Sequence, residues 1–89
     1  MTELEKYRKE IDKIDEKIIE LLHARTAVVY EISRYKAQHN IMTLDKKREE
    51  EIQKRVKELA IINYIDENFT KKVFDVIIEE CKKIQRIKR

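Results

Sequence analysis

The residues best able to do chemistry in this chain are cations and an amide standing where apolar side chains belong. Arg25 falls inside a run of apolar residues at alternating three- and four-residue steps, between Ile18 and Leu21 on one side and Val28 and Ile32 on the other. A buried arginine costs several kcal/mol unless it is paired or liganded. It therefore reads either as a register-setting or ion-paired residue of a helical seam, or as the ligand of an anion. Lys36 lies 11 residues on, a rotation of about 20° on an α-helix, hence on the same face three turns further along. Arg8 sits beside the seam near its other end, where a flanking surface charge is the default reading. Towards the C-terminus Gln85 continues the helical spacing of Phe74, Ile78 and Cys81. An inward amide needs hydrogen-bond partners, unless the helix end frays and exposes it. Asp45, Arg48 and Glu49 open another helical segment and, taken alone, are first-turn charges. No cysteine–histidine pair stands at a suggestive spacing and no metal-ligand cluster is visible, so His23 and His39 are expected to be exposed or structural.

Composition restricts the scaffold that can hold these side chains. The 89 residues contain neither Gly nor Pro, and Lys, Glu and Ile dominate. Ordinary chains carry about 7% Gly and 5% Pro, so hairpins and tight turns lose their usual residues while good helix formers abound. A usage this biased is reached by genome composition or by design alike. Leu4, Tyr7, Ile11, Ile14, Ile18, Leu21, Val28, Ile32 and Tyr35 form a heptad seam, which predicts one helix over roughly residues 3–38. Such a helix runs about 50 Å, whereas a compact domain of this length is about 30 Å across. Its seam needs a partner, and a symmetric dimer supplies one.

Asn40 is the expected stop of that helix. A second helix is predicted over about residues 45–59, with Ile52, Val56 and Leu59 as its apolar stripe. Residues 63–65 read as a connector, and Asp66 as the N-cap of a third helix. That helix is expected to bury Phe69, Val73, Ile77 and Ile84, with Phe74, Ile78 and Cys81 on an adjoining stripe. The expected fold is all-α: a single domain over residues 1–89, three helices per chain, intertwined into a homodimeric helical bundle.

The charge balance excludes little by itself but favours a solvated surface. Twenty-one basic residues are interspersed with 18 acidic ones, for a net charge of +3, unlike the concentrated basic face of a polyanion binder. A lone cysteine, Cys81, rules out an intrachain disulfide and suits a reducing compartment. The opening MTELEKYRKE has no apolar signal core, and no apolar run approaches the roughly 18 residues of a membrane span. A cytoplasmic protein with neither membrane nor nucleic-acid partner is expected.

Taken together, these positions resemble the all-α chorismate mutases over essentially the whole length. The resemblance rests on Arg8, Arg25 in LLHAR, Lys36 in RYK, the stretch DKKRE from Asp45 to Glu49, and Cys81 with Gln85. Their separations are those of the family pattern, without gaps. It implies rearrangement of chorismate to prephenate, a unimolecular [3,3]-sigmatropic shift of aromatic amino-acid synthesis that uses no cofactor and no metal. It further implies that Arg25 clamps one substrate carboxylate, with Arg48 supporting that side and Cys81 at its edge. Lys36 would contact the other carboxylate and the ether oxygen, and Gln85 would donate to the same oxygen. Glu49 and the backbone near Asp45 would hold the ring hydroxyl. Arg8 lies 28 residues from Lys36 on one helix, about 42 Å away, so it would serve the partner's site. Cys81 departs from the family, which usually carries serine there, and a thiol is the weaker donor.

Two other readings compete. An isochorismate–pyruvate lyase shares the fold and much of the cationic cage, although Glu49 suits the mutase substrate's hydroxyl. A helical dimerisation or nucleic-acid-binding module would instead rest on the basic tail KKIQRIKR. No dehydratase, dehydrogenase or effector domain is expected in this chain.

Overall fold

The computed structural model of the chain describes residues 2–88, with side chains to Arg86. Helix α1 spans Glu3–Gln38, α2 Lys46–Ile62 and α3 Glu67–Lys88. Each starts where a short polar side chain meets the first unpaired amides. Thr2 Oγ1 accepts from the Glu5 N–H at 3.2 Å, with Glu3 and Glu5 placing negative charge against the positive end of the helix dipole. Asp45 Oδ1 accepts from the Arg48 N–H at 3.0 Å, and Asp66 Oδ2 from the Phe69 N–H at 2.8 Å.

The first two helices stop in Schellman turns made without glycine. Asn40 takes a left-handed φ of 54°, and the Ile41 N–H donates to the Lys36 carbonyl at 2.9 Å. At the end of α2 the left-handed residue is Tyr64, φ 57°, with the Ile65 N–H donating to the Ala60 carbonyl at 2.9 Å. Asparagine tolerates this region; a tyrosine there carries steric cost of about 1 kcal/mol or more. His39 caps α1, its Nδ1 lying 2.9 Å from the Tyr35 carbonyl and its ring stacked on the Tyr35 ring. Both histidines are exposed.

Helix α3 packs against both of the others and forms the centre of the chain. The core is small: Val29 from α1, Val56 and Ala60 from α2, Ile78 and Ile84 from α3, with Ser33 buried beside them. Three sequence expectations fail here. Phe69 and Val73 are exposed: at 100° per residue Phe69 stands about half a turn round the helix from the buried Ile78 and Val73 about 140° from it, away from the face on which Ile78 packs. Leu59 is exposed as well; the i, i+4 pair Val56 and Ala60 faces α3 in its place.

The α1 seam stays uncovered by this chain. Residues 2–24 are all exposed, and Leu4, Tyr7, Ile11, Ile14 and Ile18 form an apolar stripe along that half of the helix. The chain measures 57 × 25 × 16 Å, and its radius of gyration of 16.5 Å exceeds the ~12 Å of a compact domain of this length. Among the described residues no helix is long and apolar enough to cross a membrane.

Candidate active site

Where the second half of α1 meets α3, the polar residues that broke the apolar pattern converge. A cavity of about 70 Å³ is lined by Arg25 and Lys36 of α1, Thr43 and Asp45 of the connector, Arg48, Glu49 and Ile52 of α2, and Ile78, Cys81, Lys82 and Gln85 of α3. The periodicities explain the gathering. An 11-residue step returns Lys36 to the face of Arg25, and steps of three, four and seven from Ile78 align Cys81, Lys82 and Gln85. Asp45 ties down the first turn of α2, so its N-cap bond fixes where Arg48 and Glu49 start.

Inside the cavity the donors rest on neutral acceptors of the protein. Arg25 Nη1 donates to Cys81 Sγ at 2.7 Å. Lys36 Nζ donates to Gln85 Oε1 at 2.9 Å and to the Thr43 carbonyl at 3.0 Å. Among the described residues neither cation is paired with a carboxylate, though both are half-buried. Part-buried charge held only by neutral dipoles attracts an anion more strongly than a solvated, ion-paired surface charge does. An amide that accepts through Oε1 also keeps its Nε2 hydrogens for another acceptor. Arg48 reaches Glu51 only at 3.6 Å and stays exposed at the mouth.

Lys82 behaves differently. Its Nζ lies 3.0 Å from Glu49 Oε1 and 3.1 Å from Glu79 Oε1. The hydrogen bond to Glu49, then that to Glu79, raises its pKa above the ordinary lysine value. With Lys82 the cavity wall carries four cations against two carboxylates, a formal surplus suited to a dianion.

Seven of the eight site residues expected from sequence thus line one cavity: Arg25, Lys36, Asp45, Arg48, Glu49, Cys81 and Gln85. Arg8 does not; it is exposed on the projecting half of α1. Sequence reasoning missed Thr43 and Lys82, and Lys82 carried a signal, since it stands three residues before Gln85 and four after Ile78. Among the described residues no group of three or more His, Cys, Asp or Glu side chains converges as a metal site.

Residues 7–86 match the sequence profile of the family described as chorismate mutase type II. The chain belongs to the type II chorismate mutase family. Its relatives include a chorismate mutase of Methanocaldococcus jannaschii, 35% identical over 93% of this chain and 84% of that protein. A 4-amino-4-deoxychorismate mutase of Streptomyces venezuelae is 28% identical over 93% of this chain and 81% of its own length. A bifunctional chorismate mutase/prephenate dehydratase of Buchnera aphidicola subsp. Schizaphis graminum is 32% identical over 83% of this chain but only 19% of that protein. Membership in this family agrees with an all-helical chain in which Arg25, Lys36, Arg48 and Gln85 converge on a cavity between α1, α2 and α3.

Proposed function

We propose that the protein is a chorismate mutase whose site is the cavity between α1, α2 and α3. The observation that carries this reading is the half-buried pair Arg25 and Lys36, held by a thiol and by neutral oxygens, facing the same small space as Gln85. The reaction is intramolecular. An ether C–O bond breaks, a C–C bond forms, and no group leaves the molecule. What a protein can add is conformational restriction of the substrate and donors placed where charge develops.

Arg25 offers a planar fork to one carboxylate, and on binding the substrate its donor leaves the weak Cys81 acceptor. Arg48 closes the same side from the mouth. Lys36 and Gln85, now bonded to each other, open to receive the ether oxygen, and Lys36 also meets the second carboxylate. Glu49 and the backbone at Asp45 take the ring hydroxyl. Arg25, Lys36 and Gln85, already held inside the cavity by hydrogen bonds, lose little rotamer freedom on binding, which favours a preorganised site.

The remaining cation comes from a second chain. The projecting half of α1 carries Arg8 together with its uncovered apolar stripe, so a homodimer that covers Ile11, Ile14 and Ile18 would bring the partner's Arg8 towards the cavity. Two composite sites per dimer follow from the two-fold symmetry. The lone thiol is in keeping with a cytoplasmic setting.

The test is chorismate disappearance with prephenate detection on the purified chain, Arg25→Ala and Lys36→Met. Loss of a preorganised donor costs roughly 10²–10³ in kcat, so both variants should fall by at least that much. Equal activity in all three proteins, or salicylate release from isochorismate in place of prephenate formation, would refute the mutase reading.

A further inference from the structure

Lys82 has no part in the roles given so far, yet it faces the cavity. Of its two acidic partners, Glu79 is 67% exposed and its attraction is largely screened by water. Glu49 is 26% exposed and Lys82 itself 23%, so the 3.0 Å pair between them is the sheltered one and forms part of the cavity wall. The contact uses a single carboxylate oxygen, Oε1. A carboxylate paired through one oxygen is biased towards that cation and keeps its other oxygen available to accept from a substrate.

We propose that Lys82 is a positioning residue that sets specificity at the substrate's ring substituent: it orients Glu49 to accept a neutral hydroxyl and disfavours a cationic amine at the same place. The inference rests on the mutase reading above, in which Glu49 takes the ring hydroxyl. Its physical basis is charge. A hydroxyl bonded to the second oxygen of Glu49 leaves the Glu49–Lys82 pair intact. An ammonium there puts a second cation beside one carboxylate, within a few ångströms of the Lys82 ammonium. Like charges so close, after allowance for partial solvent screening, discriminate by about tenfold or more. The Streptomyces relative names the suitable probe, 4-amino-4-deoxychorismate, which carries an amine where chorismate has its hydroxyl and is largely protonated near pH 7.

The experiment compares kcat/KM for chorismate and for 4-amino-4-deoxychorismate in the purified full chain, Lys82→Met and Lys82→Arg. The wild-type protein should favour chorismate. K82M should shrink that preference by about tenfold or more, and K82R, which keeps the charge, should restore most of it. A purely structural role would lower both substrates together and leave their ratio alone. Lys82→Gln carries the same readout should K82M fail to fold. A ratio in the neutral variants within about twofold of wild type, or a wild-type preference for the amine, overturns the proposal. Turnover of neither substrate by the wild-type protein overturns the mutase reading itself, and the proposal with it.

Discussion

Replacing Ile14 by alanine tests the dimer and the shared site together. Ile14 stands in the middle of the uncovered stripe and is 54% exposed in the single chain. Burying an isoleucine side chain in full is worth about 1.5–3 kcal/mol, so covering the exposed half contributes about 1 kcal/mol per copy. A two-fold interface counts each substitution twice, giving about 2 kcal/mol per dimer. That is roughly a 30-fold weaker Kd. Alanine is the best helix former, so α1 itself is not weakened and the loss belongs to the interface.

Sedimentation equilibrium over a dilution series gives the Kd, and chorismate turnover measured on the same samples gives activity. For Ile14→Ala both should fall at the same midpoint, shifted upward in concentration from wild type. Adding Ile11→Ala should shift it further by a similar factor. A wild-type protein that is monomeric and active at all dilutions would refute the reasoning. So would an I14A chain whose mass and activity separate, because the partner's Arg8 would then play no part in turnover.

Three further outcomes are expected. Cys81→Ser replaces a weak acceptor, 2.7 Å from Arg25, by a hydroxyl that both accepts and donates; KM for chorismate should fall severalfold with kcat little changed, and a rise in KM would contradict the account. Tyr64→Gly relieves a left-handed residue that is 97% exposed and has little packing to lose, so urea titration should show stabilisation by about 1 kcal/mol. The raised pKa of Lys82 means that folding favours its protonated form. Its contribution is complete below the ordinary lysine value and is lost as pH climbs through the raised one, so thermal stability should decline at alkaline pH, less so in Lys82→Met.

The helices were legible because their ends are written in local chemistry. Asp66 is an N-cap residue by type, and Asn40 tolerates the left-handed turn that ends α1; Asp45, expected in the first turn of α2, caps it instead. Tyr64 takes the same turn with no such signal; in a chain without glycine some ordinary residue has to, and sequence does not say which. Arg25 and Lys36 were legible because each is charged at an inward position, and helical geometry fixes that 11 residues restore the face. Lys82 shares helical spacing with Ile78 and Gln85 but is passed over, because one lysine among many looks like solvated surface until Glu49 is seen beside it. Phe69, Val73 and Leu59 failed for a related reason. An apolar stripe reports that a face is to be covered, not whether its own chain covers it, and here those residues lie exposed.

The length of α1 has a consequence for how defects combine. One unbroken helix of 36 residues carries Arg8 at one end and Lys36 at the other, so in the proposed dimer each chain contributes to two pockets. A lesion at Arg8 and a lesion at Arg25, each disabling in a pure dimer, therefore fall on opposite pockets of their own chain. When the two variants are co-expressed, one pocket of every mixed dimer collects both lesions and the other regains both arginines. Two inactive alleles would rescue one another, a genetic complementation written into the reach of a single helix.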